Sequence, residues 1–111
     1  MKATILHNPR CSKSRETLAL LTQAGADVTV VEYLKTPPAA EELCRLFAKG
    51  GLSPRDGLRT AEAEAKTLAN ADDAAILSAM VANPILIERP LVETDKGVVI
   101  ARPPETVRNI L

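Results

Sequence analysis

The chain passes from a strand to a helix within residues 3–15, whose sequence is ATILHNPRCSKSR. The short apolar run Ala3–Leu6 is followed by Asn8-Pro9, a strong turn signal, which predicts a buried strand and then a loop. Residues 14–24 carry apolar side chains at helical spacing, so a helix is predicted next. Cys11 therefore lies where a predicted strand ends and a predicted helix begins.

The rest of the chain predicts an α/β fold. A β-branched run supplies a second strand from Val28 to Tyr33, and the opening β-α-β unit implies parallel pairing through a right-handed crossover. Helical patterns dominate residues 36–83: one helix is expected to begin at Thr36-Pro37-Pro38, two short helices over 53–70, and another helix at Asp72-Asp73. Asp95-Lys96-Gly97 then predicts a hairpin before a closing helix. We therefore expect a mixed four-stranded sheet flanked by helices, as a single domain over residues 1–111 with a helical insertion in its middle.

Composition excludes several classes of partner. The chain carries 14 basic and 14 acidic side chains, one Phe, one Tyr and no Trp, so it lacks both a basic field and stacking surfaces for bases. We therefore expect no nucleic-acid partner. No apolar run approaches the ~18 residues of a membrane span, and the amino terminus reaches a polar turn too soon for a signal peptide. These features predict no membrane association and a cytoplasmic location.

Cysteine and histidine usage argues against a metal centre. With two cysteines, one histidine and no CxxC or HExxH pattern, the chain is expected to hold neither several disulfides nor a bound metal or cofactor. Cys44 falls between Leu43 and Phe47 on a predicted amphipathic helix. That position predicts a buried or half-buried packing cysteine.

Cys11 is the best candidate for a reactive group. The N–H groups at the start of a helix and the nearby cations Arg10, Lys13 and Arg15 favour a thiolate and lower its pKa. The same features favour an anion beside the sulfur, so an oxyanion could lie where the thiolate attacks. The alternative is a small buried apolar cysteine, which describes most cysteines.

The neighbours of Cys11 restrict its chemistry. Ser14 stands where a dithiol redox motif has its second cysteine, so no internal disulfide can close there and an oxidised Cys11 needs an outside thiol. The spacing to Arg15 does not match the Cys-x5-Arg cradle of small phosphatases. We assign Asn8, Ser14 and Arg15 to support of the loop. His7 either interacts with that loop or only satisfies the end of its strand.

Three arginines, Arg59, Arg89 and Arg102, stand at predicted element boundaries. Taken singly, such an arginine is usually a solvated charge. If all three lie around Cys11, they form an oxyanion pocket capable of bidentate hydrogen bonds. Their spacing along the chain does not show that they converge.

Five segments spread along the chain carry a family resemblance. They are His7–Cys11, Tyr33-Leu34 with Pro37-Pro38, Leu58-Arg59, Asn83–Pro90, and Arg102–Glu105. Together they resemble the ArsC family of glutaredoxin-coupled arsenate reductases, almost from end to end. The resemblance implies a thioredoxin-like fold with an added helical portion in the middle. It also likens Arg89-Pro90 to the cis-proline turn of that fold.

The resemblance implies a role for each candidate residue. Cys11 matches the cysteine that attacks arsenate, His7 matches the histidine near the thiol, and Arg59, Arg89 and Arg102 match three oxyanion-binding arginines. The implied reaction has the Cys11 thiolate attack arsenate and displace water or hydroxide. Glutathione, as co-substrate, then attacks the adduct, and glutaredoxin, as transient partner, resolves the mixed disulfide with release of arsenite.

The loop departs from the best-known family pattern, because Ser12-Lys13-Ser14 replaces Gly-Thr-Ser. That form is shared with a less-characterised branch of the family, and Lys13 either favours anions or marks a different substrate. Two other functions stay open. One is an Spx-like redox-sensing regulator that binds RNA polymerase. The redox switch of the Spx proteins resembles Cys-x-x-Cys, whereas this chain has Cys11-x-x-Ser14. The other is a glutathione-dependent oxidoreductase of protein mixed disulfides, which has little use for three arginines.

Overall fold

Four strands form one mixed sheet in the computed structural model, which describes all 111 residues. They are β1 (Lys2–Leu6), β2 (Asp27–Val31), β3 (Leu91–Thr94) and β4 (Gly97–Ile100), in the order β2-β1-β3-β4. β1 pairs in parallel with β2 and antiparallel with β3, and β3 pairs antiparallel with β4. The predicted mixed four-stranded sheet and its closing hairpin are thereby confirmed.

The chain divides into two units. The sheet unit consists of Met1–Thr36 and Arg89–Leu111 and contains all four strands, and the helical unit consists of Pro37–Glu88. The sequence placed the helical segment at about 36–83, whereas the helical unit continues to Glu88. That the whole chain acts as a single domain stays a prediction.

Helix α1 (Ser12–Gln23) connects β1 to the parallel strand β2. It ends where Gly25 adopts φ +79° and donates its N–H to the carbonyl of Thr22, the terminal geometry that glycine favours. Leu21 of α1 is fully buried against the sheet. The core of the sheet unit is aliphatic and consists of Ala3, Ile5, Leu21, Val92, Ala101, Val107 and Ile110.

One expectation about the sheet unit was wrong in detail. β2 ends at Val31 rather than at Tyr33, because the chain turns there and the N–H of Lys35 bonds to the carbonyl of Glu32 at 2.9 Å. The expected closing helix is present at Pro104–Ile110 and is a 3-10 helix. It begins at the second of two prolines, Pro103 and Pro104, which lack N–H groups.

The helical unit holds α2 (Ala40–Lys49), α3 (Asp73–Ala82) and 3-10 helices at Ala63–Leu68 and Pro84–Leu86. The sequence predicted the start of α3 correctly, since Asp72 caps it by accepting the N–H of Ala75 at 2.8 Å.

Two other expectations for the helical unit were wrong. We expected α2 to begin at Thr36-Pro37-Pro38, but it begins at Ala40, after an Ala39 that makes no side-chain cap. We also expected two short helices over 53–70, whereas that stretch contains turns and a single 3-10 helix, Ala63–Leu68. Of that helix only Ala65 is buried, so it has little apolar surface with which to stabilise a longer α-helix.

Cys44 is exposed on α2, contrary to the expectation of a buried or half-buried packing cysteine. The buried face of α2 is formed by Leu43, Leu46 and Phe47. Cys44 lies about 100° around the helix from Leu43, which places it beyond the edge of that face. It borders a shallow depression with Leu77 and other residues of the helical unit.

Cys44→Ala is expected to leave the protein unaffected. Because the side chain is exposed, the free energy of unfolding should change by no more than about 0.5 kcal/mol, as is usual for surface substitutions. Urea denaturation checks the stability, and alkylation of the remaining thiol checks that Cys11 reacts as before. A loss of activity in the folded variant would instead make Cys44 a participating thiol.

Candidate active site

Cys11 occupies the N-cap of α1, in the loop that follows β1. Its backbone is extended, its N–H bonds to the carbonyl of Asn8 at 3.0 Å, and its own carbonyl accepts the N–H of Arg15 at 3.0 Å. The side chain is half-buried. The strand-to-helix junction predicted from the sequence therefore leaves the sulfur accessible at the positive end of the helix dipole.

The surroundings of Cys11 favour its thiolate. Burial by itself raises the pKa of the thiol, but the backbone N–H groups of Ser14 and Lys13 and the side chain of Arg89 outweigh it, and the pKa is lowered overall. The two N–H groups are directed at the sulfur without forming a full cap hydrogen bond. Helix N–H groups and a guanidinium together stabilise the negative charge that a nucleophilic thiolate carries.

The rate of Cys11 alkylation, measured as a function of pH, should therefore have its inflection at a lower pH than that of a free thiol. Because the pKa is lowered, the rate with iodoacetamide should reach half its plateau at a pH clearly below the free-thiol value of about 8.5. Peptide mapping restricts the measurement to Cys11. An inflection at or above the free-thiol value would contradict an activated nucleophile.

Asn8, Ser14 and Arg15 hold the loop in shape, each through a different contact. The N–H of Asn8 donates to Ser14 Oγ at 3.1 Å, and Asn8 Oδ1 accepts the N–H of Arg10 at 3.0 Å. Arg15 Nη1 donates to the carbonyl of Pro9 at 2.8 Å. Ser14 is fully buried and does not cap α1 with its side chain, because its hydroxyl is engaged with the loop.

His7 joins the end of β1 to this loop. The residue is 6% exposed, its Nδ1 lies 2.6 Å from Ser14 Oγ, and its backbone N–H bonds to the carbonyl of Val31 at 2.8 Å. Burial lowers the pKa of His7, with the positive charge of Arg15 acting in the same direction and the carboxylate of Glu32 opposing it. A neutral imidazole near neutral pH follows. His7 thus both satisfies the strand end and interacts with the loop.

The structure brings Arg89 and Arg102 together in the sheet unit. Arg89 lies beside the sulfur of Cys11, and Arg102 Nη1 donates to the carbonyl of Arg89 at 3.2 Å. Both arginines precede cis prolines, at Arg89-Pro90 and Arg102-Pro103. The first cis bond was expected from the family resemblance, whereas no feature of the sequence indicated the second.

Arg59 lies in the helical unit, where its backbone N–H bonds to the carbonyl of Leu86 at 2.8 Å. Its Nε is 3.0 Å from Glu62 Oε1, at an angle outside hydrogen-bond geometry, so the contact is an ion pair. The two side chains are 20% and 22% exposed. The convergence of Arg59 with Cys11 stays a prediction.

Sequence reasoning missed part of this arrangement. It did not identify the carbonyl of Arg89 as the group that Arg102 contacts, since contacts between distant segments leave no local pattern.

The structure contains no group of three or more His, Cys, Asp or Glu side chains placed to bind a metal ion. None of its helices has the length and apolar character needed to cross a membrane.

Comparison with known proteins assigns the chain to a family. The model of the ArsC family matches residues 6–110. The chain belongs to the ArsC family. It is 44% identical to the arsenate reductase of Rhizobium meliloti (strain 1021), with 100% of this chain and 82% of the relative covered. It is 41% identical to an arsenate reductase of Escherichia coli, with 97% of this chain and 79% of the relative covered.

The structure of an ArsC family relative extends the agreement to three dimensions. The arsenate reductase from Vibrio cholerae superimposes with a TM-score of 0.93 at 45% identity, covering 100% of this chain and 98% of that one. The thioredoxin-like fold expected of an ArsC family member is thereby confirmed.

Proposed function

We propose that this ArsC family chain reduces arsenate to arsenite, with the Cys11 thiolate as nucleophile. The observation that carries the proposal is the half-buried Cys11 at the start of α1, whose thiolate is favoured by helix N–H groups and by Arg89. Relatives named arsenate reductase that align over nearly the full chain support the choice of oxyanion.

The proposed reaction balances with one substrate and two thiols. The Cys11 thiolate forms a bond to arsenic, and water or hydroxide leaves. Glutathione then supplies the second thiol, and formation of the disulfide between it and Cys11 passes two electrons to arsenic, which departs as arsenite. Glutaredoxin attacks the mixed disulfide and takes the glutathione, which returns Cys11 to the thiolate.

The proposed reaction has two further roles for side chains, oxyanion binding by arginines and positioning of the loop by His7. Arg89 lies beside the sulfur, where its guanidinium can bind the oxyanion through charge-assisted hydrogen bonds. Arg102, held on the carbonyl of Arg89, and Arg59 are proposed to complete the oxyanion pocket. His7 is a positioning residue, which fixes Ser14 and through it the loop.

The proposed reaction also implies a thiol reductant and a cellular location for the protein. Ser14 stands where a dithiol motif has its resolving cysteine, so the Cys11-x-x-Ser14 segment cannot close an internal disulfide and an external thiol is proposed. Glutathione and glutaredoxin are the proposed source. Reduced thiols are maintained in the cytoplasm, which is therefore the proposed location.

Two parallel assays test the function. One follows arsenite formation in the presence of glutathione and glutaredoxin, and the other follows reduction of a small glutathione mixed disulfide without arsenate. We expect arsenate-dependent turnover that requires glutathione. Turnover in the disulfide assay alone would favour a glutathione-dependent oxidoreductase, and the absence of both activities would favour a regulator that binds RNA polymerase.

A further inference from the structure

The first turn of α1 differs in charge from the other two α-helices of the chain. It contains no acidic residue, whereas α2 begins with Glu41 and Glu42, and α3 begins with Asp73 after its cap Asp72. Acidic groups are favourable at a helix amino terminus because they offset its partial positive charge. The start of α1, where Cys11 lies, has no such compensation.

Two cations increase this positive charge. Arg10 and Lys13 flank Cys11, and both are exposed. Arg10 is engaged only through its backbone N–H, to Asn8 Oδ1, and Lys13 accepts a hydrogen bond from Thr17 only through its carbonyl. Neither the guanidinium nor the ammonium has a hydrogen-bond or ion-pair partner. A cation placed for stability would more usually lie at the opposite end of the helix.

We propose that Arg10 and Lys13 are specificity-determining residues that select the reagents reaching Cys11 by their charge, favouring anions over neutral molecules. The inference rests on the proposed function, since it takes Cys11 as the reacting group and both arsenate and glutathione are anions. The two side chains raise the local concentration of an incoming anion before any bond forms. Glu16, the one carboxylate of α1, forms no ion pair with either.

Coulomb's law sets the expected size of the effect. A unit charge about 6 Å from an anion in water changes its local concentration about threefold. Each cation should therefore contribute about threefold at low salt. At about 1 M salt the screening length falls to about 3 Å, and the contribution should disappear.

Alkylation by two reagents of different charge measures the selection in the full chain. Iodoacetate is an anion and iodoacetamide is neutral, and the thiolate attacks both with loss of iodide, so the ratio of the two rates is independent of the fraction of thiolate present. Peptide mapping reports Cys11 and the exposed Cys44 separately. We expect a higher iodoacetate-to-iodoacetamide ratio at Cys11 than at Cys44.

Substitutions assign the selection to the two cations. Arg10→Ala and Lys13→Ala should each lower the ratio at Cys11 about threefold, and Lys13→Glu about ninefold, because it changes two unit charges. Lys2→Ala is the matched control, since Lys2 begins β1 at the end of the strand away from the loop. It should leave the ratio unchanged.

Lys13→Glu also separates selection from stability. An acidic group in the first turn of α1 should raise the midpoint of thermal unfolding by a few degrees, because it offsets the helix dipole. A lower midpoint would mean that Lys13 stabilises the fold, and would overturn the assignment of this residue.

Two further outcomes would overturn the proposal. One is a ratio at Cys11 that is unchanged in both alanine variants. The other is a fall in the ratio that Lys2→Ala also causes, or a fall in the alanine variants that is as large in about 1 M salt as at low salt. The alkylation experiment contains no arsenate, so its result does not depend on whether the chain reduces arsenate. A charge-dependent ratio without arsenate reduction would contradict only the assignment of arsenate as substrate. Arsenate reduction without a charge-dependent ratio would contradict only the proposed selection by Arg10 and Lys13.

Discussion

Cys11→Ser is expected to reduce arsenate turnover by on the order of 1,000-fold or more, because a serine hydroxyl stays protonated where the thiol ionises. The substitution keeps the size of the side chain and its place at the start of α1. Arsenite formation with saturating glutathione and glutaredoxin measures the loss, and circular dichroism verifies the fold.

Cys44→Ser is the matched control for that variant. It makes the same chemical change at an exposed position on α2 and should retain full turnover. Equal losses in the two variants would mean that both thiols take part in the reaction. The reductant would then be an internal disulfide relay rather than glutathione alone.

Arg89→Ala is expected to lower kcat/KM for arsenate by roughly ten- to a hundredfold without unfolding the protein. The guanidinium lies beside the sulfur and lowers the pKa of Cys11, and one charge-assisted hydrogen bond to an oxyanion is worth about 1.5–3 kcal/mol. Removing the side chain should also raise the pKa of the Cys11 thiol. At a fixed neutral pH both effects reduce the rate.

Arg89→Lys separates charge from geometry. The ammonium keeps the charge but cannot present the planar fork of a guanidinium, so it should restore only part of the activity. The pH dependence of Cys11 alkylation reports the remaining electrostatic effect independently of arsenate. Full activity in Arg89→Ala, with the protein folded, would mean that this arginine does not bind the substrate.

Arg59 and Arg102 extend the same test to the whole proposed pocket. Each alanine variant should lose roughly ten- to a hundredfold in kcat/KM if the three guanidinium groups share one oxyanion. Arg59 forms an ion pair with Glu62, and Arg102 bonds to a backbone carbonyl, so both have a structural contact as well. Retained turnover in Arg59→Ala would limit the pocket to the sheet unit.

The parts of the fold that were predictable from the sequence have strong local signals. The apolar run before Asn8-Pro9, the glycine after α1 and the acidic cap of α3 each act within a few residues. The hairpin at β3 and β4 is of the same kind, because its turn residues stand between two apolar runs.

The elements whose type or extent was not predicted lack such local signals. A 3-10 helix and an α-helix share the same cap and proline signals, so Pro104–Ile110 could not be assigned between them from its residues. The stretch between α2 and α3 is polar and alanine-rich, and its turns depend on contacts such as those of Arg55 with the carbonyls of Leu68 and Ala71. Patterns within the segment do not reveal these partners.

The candidate site was likewise predictable only where its residues are adjacent in the sequence. Cys11 and its loop were found because cations, a turn and a helix start are adjacent in sequence. The contact of Arg89 with the sulfur depends on the crossing of segments far apart in the chain. The family resemblance supplied that pairing, whereas spacing alone left it open. Cys44 was misplaced because one position of helical phase separates a buried residue from an exposed one.

Trapping of the enzyme between its two half-reactions is the most direct test of Cys11 as the arsenate nucleophile. The protein is incubated with arsenate and glutathione in the absence of glutaredoxin, so that resolution of the mixed disulfide is slow. Intact mass and peptide mapping then locate the adduct, and released arsenite is quantified. The proposed reaction predicts a single glutathione on Cys11, formed only when arsenate is present, with one arsenite released for each adduct. An adduct on Cys44, or one on Cys11 that forms equally without arsenate, would contradict it.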